Sequence, residues 1–461
     1  MIGRLRGRRS RTPHNAHEPL HLDDIQGNIL HGYRAEAAAY IFLQVHDPVA
    51  AAACIAETAD LVTTALRRPG AVALNVGVTY AGLAALGVPA HRLAGLPQAF
   101  KDGMAARAVS KLGDTGAHAP LHWDDPFRPG TPLHGVAILH GEADAVAERL
   151  RRIRAELWQD GFVEVCPPLL TGRLRGGREH FGYVDGLTQP TVSEAPGQFI
   201  LGAPDLDGVA DTPYPALLTN GSYLVVRKLG QDVAGFRERI TEAARLTGTD
   251  PEYVAAKVMG RWRDGTPVAQ SPGRGSSQEE FTYDDDPAGD RCPIGAHVRR
   301  ANPRGSLLFD GRLEHRHRLL RRGMPYGPPM PGFEDGSGSG SWEPVDDGQE
   351  RGLLFACYQA DIEAQFEFVQ SQWLGDGNVF GLGYDRDPIV GHPTGEPGRP
   401  GEPGDDTVNL GGATFVPAMR TTVTTRGGAY FLVPGVEALR HLAAVALAAG
   451  AEAGATAEVG S

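Results

Sequence analysis

The chain is poor in cysteine, carries no long apolar run and has no surplus of basic residues, and each scarcity narrows what it can be. Its four cysteines, Cys54, Cys166, Cys292 and Cys357, are scattered over 461 residues without a CxxC pair. That spacing excludes a disulfide framework and a cysteine-rich zinc site, and leaves each thiol as a small buried hydrophobe. The most apolar late stretch, LAAVALAAGAEAGA after His441, falls short of the roughly 20 strongly apolar residues that span a bilayer. It reads as a terminal helix or tail. Lys and Arg number 44 against 56 Asp and Glu, a net charge of -12, which argues against general affinity for nucleic acid or anionic membranes, since both require a positive surface. A small molecule is the expected partner, with no nucleic acid and no membrane, and the chain is either a monomer or a homo-oligomer. The N-terminus, MIGRLRGRRSRTPHNAHEP, is basic but lacks the apolar stretch of roughly 7 to 15 residues that a secretory signal needs. Residues 1–21 are therefore expected to be a disordered basic tail, and the location cytoplasmic.

What is present is an ordinary globular composition, 41% hydrophobic and 22% charged. At 461 residues the chain exceeds the roughly 250 to 300 that one core serves, so two domains or a duplicated unit are expected. The ordered part starts at Leu22–Leu30 (LDDIQGNIL), where Asp23 or Asp24 can cap a short helix. From Ala39, AYIFLQVHD reads as a strand, the alanine-rich segment after it as a helix, and ALNVGVTYAGLAALGV as a strand leading into a helix. The order returns in GVAILHG, ADAVAERLRRIRAELW and GFVEVCPPLL, as strand, helix and strand. Two such units make a four-stranded ferredoxin-like half.

Beyond Pro215 the pattern restarts: GSYLVVRKL, DVAGFRERI, GLLFACYQ, IEAQFEFVQSQWL and GAYFLVPG alternate strand and helix before a last helix from Val436. The fold class is thus α+β, with two ferredoxin-like halves of antiparallel sheet and helices over residues 22–212 and 213–461. They join near 205–218, where PDLDGVADTPYP gathers turn residues. Gly332–Gly348 and Gly391–Asp406 are polar and rich in Gly and Pro, and read as surface loops.

Three segments carry chemistry. In GREHFGYVDGLTQP, Gly182 and Gly186 flank Tyr183-Val184-Asp185 and permit a tight turn that presents Asp185 to a cavity, although an Asp between glycines also makes a plain Asx-turn. In CPIGAHVRRANPR, His297 stands among small apolar residues ahead of Arg299, Arg300 and Arg304. Its imidazole can ligate iron while an arginine pairs with carboxylates of a bound macrocycle, or it can be a structural histidine in a basic loop. In HRLLRRGMPYGPP, Arg321 precedes the Pro325-Tyr326-Gly327 turn. A guanidinium cannot lose its charge and so can stabilise a developing anion, or simply end a solvated basic helix.

Taken together and in this order, GxxDG, CPxGAHxRRxNPR and RxxxPYG resemble the dye-decolorizing peroxidases, a haem peroxidase family. LDDIQGNIL, NVGVTYAGLAALGVP, GLLFACYQADIEAQFEFVQSQW, GYDRDPIVG and TTRGGAYFLVPG extend the resemblance over residues 22 to 445, closest to the larger fungal-like and cyanobacterial-like members. The resemblance implies a dimeric ferredoxin-like, barrel-like α+β arrangement with haem b held mainly against the C-terminal half. It implies that His297 is the iron ligand, Asp185 the acid–base residue, Arg321 the distal arginine and Arg304 a contact to a haem propionate. Gly182 and Gly186 would frame the haem pocket, and Leu353 and Phe355, two apart on a strand and so on one face, would form its distal wall. The activity implied is reduction of hydrogen peroxide with oxidation of dyes, phenols or similar aromatic donors.

A carboxylate that hydrogen-bonds the second ring nitrogen of His297 is expected in GYDRDP, from Asp385 or Asp387. Tyr326 and Trp373 occupy places that resemble surface sites of electron relay to bulky donors. A carboxylate base, ordinarily near pKa 3.9 against about 6.5 for imidazole, favours acidic conditions. Two other readings compete: a haem carrier using the same His297 pocket, which would have no need of Asp185 and Arg321, and a ferredoxin-like assembly module without haem.

Overall fold

The computed structural model describes residues 20–156, 158, 160–205, 215–270, 280–307, 312–331, 342–382, 385–391, 408–409, 415–416 and 422–459. The basic segment before residue 20 and most of the expected junction and of the two Gly/Pro-rich stretches lie outside the described residues.

Apolar runs rich in Val, Ile, Leu and aromatics form the strands. Strands β1 (Ala37–Val45), β2 (Val72–Val78), β3 (Gly135–Gly141) and β4 (Phe162–Glu164) pair antiparallel in the order β4-β1-β3-β2. Helices Pro48–Leu61 and Ala143–Glu156 follow β1 and β3, which completes the ferredoxin-like pattern. The single strand expected over GFVEVCPPLL is split: β4 pairs with Leu43–Val45 and β5 (Leu169–Gly172) with Ala37–Tyr40 of the same β1 edge. Pro167 and Pro168 lie between them and have no N–H to offer the ladder.

The second half repeats the order. It comprises β6 (Ser222–Gln231), β7 (Leu320–Arg321), β8 (Met324–Tyr326), β9 (Gly352–Gln359) and, after a small ribbon of β10 (Val408–Asn409) and β11 (Phe415–Val416), β12 (Val423–Val433). These run β12-β6-β9-β7, with β8 also on β9. Helix Val233–Thr247 follows β6, and the wide-turned helical segment Ile362–Leu374 follows β9. Strands β7 and β8 were absent from the sequence expectation, because LRRGMPY has neither alternation nor an apolar run and carries a proline that suits only an edge.

The halves share one sheet through Leu432 of β12 opposite Val78 of β2. On the far side Thr171 of β5 approaches Met324 Sδ of β8 at 3.8 Å without strand pairing, so the sheet curls toward a barrel and does not close. Alternation turns Tyr40 and Phe42 inward against Ile138, Leu224, Leu354 and Phe431. It turns Ile41 and Leu43 outward against Val146, Leu150 and Ile153, one face of the Ala143–Glu156 helix. Among the described residues no helix is long and apolar enough to cross a membrane.

The acid expected to cap the first helix does something else. Helix Gly27–Leu30 begins after Gln26 with no side-chain cap. Asp24 instead anchors the last helix, Val436–Val459: Oδ1 accepts from the Glu437 N–H at 2.7 Å, Oδ2 from Asn220 Nδ2 at 2.7 Å, and its carbonyl from the Val436 N–H at 2.9 Å. Asp24→Ala is expected to lower the unfolding free energy by about 1 to 2 kcal/mol, as loss of a helix cap does, read from the urea midpoint; an unchanged midpoint would contradict this anchoring.

Candidate active site

Residues of the second half, with the segment 179–194 of the first, line a cavity of about 1230 Å³, beyond the roughly 300 to 1,000 Å³ usual for ligand pockets. One wall is sheet: Leu229 of β6 with Leu353 and Phe355 of β9. Leu354 and Ala356, which alternate with them, face the core instead. His297, Val298, Ile389 and Val390 also line the cavity, as do residues of the loop 179–191.

His297 opens the short helix His297–Ala301. Its Nδ1 donates to Asp387 Oδ2 at 2.9 Å. Asp387 is buried, and its other oxygen accepts the N–H groups of Ile389 at 2.9 Å and Val390 at 2.7 Å. Asp385 pairs with Arg300 at 3.2 Å. Of the two carboxylates left open by the sequence, Asp387 therefore holds the imidazole, and Nε2 is the ring nitrogen left for a ligand. Burial pushes the imidazole pKa down, but the Asp387 charge and hydrogen bond carry it above the ordinary histidine value. Burial pushes the Asp387 carboxyl up, and His297 with the Val390 N–H brings it below the usual carboxylate range.

The GxxDG loop lines the same cavity. Gly182 has φ 98° and Gly186 φ 74°, left-handed backbone that favours glycine; a Cβ on Gly186 would meet no neighbour, so it is the conformation and not space that calls for glycine there. Asp185 Oδ1 accepts the Gly186 N–H at 2.6 Å and lies 3.6 Å from Arg321 Nη1. Arg321, on β7, donates through Nη2 to the Leu187 carbonyl at 2.8 Å, and its own N–H reaches Gln189 Oε1 at 3.1 Å. Both side chains stay partly exposed at the cavity wall, and the Arg321 charge is felt at His297. The geometry thus brings His297, Asp185 and Arg321 to one cavity, with Leu353 and Phe355 in its sheet wall.

Residues 24–166 match the DyP dimeric alpha+beta barrel domain, and residues 177–379 the Dyp-type peroxidase C-terminal domain. A multifunctional dye peroxidase of Amycolatopsis sp. is 31% identical, over 91% of this chain and 96% of that protein. The chain belongs to the dye-decolorizing peroxidase family. Among solved structures, an ancestral D-type dye decolorizing peroxidase is 28% identical with a TM-score of 0.77, over 92% of this chain and 99% of that one. A dye-decolorizing peroxidase in complex with 2,6-dimethoxyphenol is 27% identical with a TM-score of 0.76, over 92% and 100%. Dye-decolorizing peroxidases are haem enzymes, and this chain is a peroxidase of that family.

Two residues expected near the surface of this peroxidase are not there. Tyr326 is 5% exposed, sits under Lys228 Nζ at 5.2 Å from its ring centre, and places its hydroxyl 3.4 Å from Glu350 Oε1. The MPY edge strand folds back onto β9, where Tyr326 faces Gly352. Trp373 is 1% exposed, with His317 at 5.3 Å and Phe368 at 5.6 Å, both near perpendicular to its ring. It borders the cavity.

Arg304 does reach the cavity wall, with φ 46°. Its Nη1 donates to the Phe281 carbonyl at 3.1 Å and its Nη2 to Thr188 Oγ1 at 3.2 Å. Arg261 meets the same Thr188 hydroxyl at 3.3 Å and also borders the cavity. It went unnoticed in the sequence because nothing in GRWRDG marks it.

The His297–Asp387 pair makes the stability of the haem-free protein depend on pH. The raised imidazole contributes fully below the ordinary histidine pKa and loses its contribution as pH rises through the raised value. The depressed carboxyl contributes fully above the ordinary aspartate pKa and loses its contribution as pH falls through the depressed value. The stabilisation is therefore expected to be greatest between about pH 4 and 6.5, and Asp387→Asn to abolish it; a melting-temperature deficit of equal size at every pH would contradict the pairing.

Proposed function

We propose that the chain holds haem b in this cavity through His297 Nε2 and uses Asp185 and Arg321 to reduce hydrogen peroxide at the expense of dyes, phenols or similar aromatic donors. The observation that carries this reading is that a histidine with its Nδ1 committed to a buried carboxylate shares one cavity with an Asp–Arg pair. The residues suit a flat, largely apolar macrocycle with two carboxylates: Val298, Ile389, Leu353 and Phe355 supply apolar lining, and Arg304 and Arg261 supply cations.

When bound, haem supplies the iron at which the peroxide O–O bond breaks and the reservoir for the oxidising equivalents. Asp387 draws on the Nδ1 proton of His297 and makes Nε2 a stronger donor. Asp185 takes a proton from one peroxide oxygen and returns it to the other as the bond breaks. Arg321, permanently charged, stabilises the negative charge that gathers on the departing oxygen. Leu353 and Phe355 make their part of the cavity lining apolar, which disfavours bulk solvent there. A bulky donor then needs a route for electrons through the protein, and Tyr326 and Trp373 serve in this reading as internal stations, Trp373 at the cavity wall. The relative solved with 2,6-dimethoxyphenol supports a phenolic donor.

Stopped-flow mixing of the haem-loaded protein with hydrogen peroxide tests the assignment. Asp185→Asn is expected to slow the bimolecular step by roughly 10² to 10⁴-fold and Arg321→Leu by about 10² to 10³-fold, with dye turnover in the wild type fastest below pH 7. Unchanged rates in either variant, or an optimum clearly above neutrality, would overturn it.

A further inference from the structure

The loop that carries Asp185 is held by a residue the mechanism above does not use. Glu179 borders the cavity. Its Oε2 accepts the Phe181 N–H at 2.9 Å and Gln231 Nε2 at 2.6 Å, and its Oε1 accepts the Tyr183 N–H at 2.9 Å. Its backbone closes the same turn, the Glu179 N–H donating to the Tyr183 carbonyl at 2.9 Å and its carbonyl accepting from the Gly182 N–H at 2.9 Å. Among the described residues no Lys or Arg pairs with this carboxylate; burial raises its pKa above the ordinary glutamate value, although all three N–H donors pull it down.

This arrangement answers a mechanical problem. Asp185 stands between Gly182 and Gly186, both left-handed, and a segment flanked by glycines does not fix its own course. Gln231 is the last residue of β6, and its N–H is bonded to the Arg351 carbonyl at 2.9 Å, just before β9. Strand β9 in turn pairs with β7 at Cys357 opposite Arg321. Hydrogen bonds and strand backbone together therefore connect the Asp185 loop through Glu179 and Gln231 to β6, β9 and Arg321. Only a carboxylate satisfies both loop N–H groups. A glutamine has one oxygen and one NH₂, and would set a donor against a donor at Phe181 or Tyr183.

We infer that Glu179 is a positioning residue for peroxide activation: it clamps the Asp185 loop to the end of β6 and so sets the placement of Asp185 relative to Arg321. This rests on the reading of Asp185 and Arg321 as the peroxide pair.

The test uses the haem-loaded protein with Glu179→Gln, Asp185→Asn and the double variant. Glu179→Gln is expected to speed hydrogen–deuterium exchange at the Phe181 and Tyr183 amides while the visible spectrum stays as in the wild type. It is expected to slow the reaction with peroxide by on the order of 100-fold, as a displacement of about 1 Å does, and to leave KM for the aromatic donor unchanged. The double variant is expected to react no more slowly than Asp185→Asn alone, because Glu179 acts through Asp185. Unchanged amide protection, or losses that multiply in the double variant, overturns the positioning role. A slow Asp185→Asn beside a wild-type Glu179→Gln overturns the role of Glu179 alone, whereas a wild-type rate in Asp185→Asn overturns the acid–base reading and the positioning role with it. Should Glu179→Gln fail to hold haem, Gln231→Leu, which removes only the tie to β6, is expected to slow the peroxide step selectively; a wild-type rate there overturns the inference.

Discussion

A carboxylate taken out of water is costly unless its lone pairs are used, and Asp387, at 3% exposure, uses them on His297 Nδ1 and on the N–H groups of Ile389 and Val390. Much of the site's arrangement depends on that one group. It fixes the imidazole plane and leaves Nε2 facing its task. Two residues earlier, Asp385 takes Arg300, whose Nη1 lies 3.2 Å from the Trp373 carbonyl. The helix that bears His297, the segment after Leu382 and the wide-turned helix after β9 are thereby joined into one wall. The sheet adds Leu229, Leu353 and Phe355 to the lining of the same cavity.

The two halves share a strand order but not a task. Among the described residues none before Glu179 borders the cavity, so the first half reaches it only through the segment 179–194 that carries Asp185. The rest of the first half acts through the contacts that hold the second in place: Asp114 pairs with Arg227 of β6 at 2.6 Å, and Arg107 grips Glu367 through two bonds of 2.7 and 2.6 Å. Glu367 also accepts from the Tyr430 hydroxyl at 2.9 Å. Pairs this deeply buried add little net stability, but leaving one partner alone is costly, so they penalise any displacement of one half against the other.

The sequence was most legible where a local pattern decided the structure. The runs that became β1, β3, β6, β9 and β12 are apolar enough to admit no other reading, and the spacing of Leu353 and Phe355 anticipated a shared face. It was least legible where distant partners decided. GYDRDP offers two equivalent acids, and only the amides of Ile389 and Val390 and the claim of Arg300 on Asp385 separate them. Asp23 or Asp24 looked able to cap a short helix nearby, whereas Asp24 anchors a helix at the other end of the chain. Tyr326 and Trp373 were expected at the surface from the family resemblance, and the local sequence cannot show that Lys228 and His317 cover them. Nothing local marks Glu179, because its amide partner, Gln231, lies far along the chain at the end of β6.

The central claim is that His297 Nε2 is the iron ligand of a haem bound in this cavity. The most direct test is the visible and electron paramagnetic resonance spectrum of the protein reconstituted with haem b, compared with His297→Gly before and after addition of imidazole. One haem per chain with an imidazole-ligated spectrum is expected for the wild type, a changed ligand field for His297→Gly, and recovery when free imidazole fills the space. A spectrum indifferent to the loss of His297 would contradict the account.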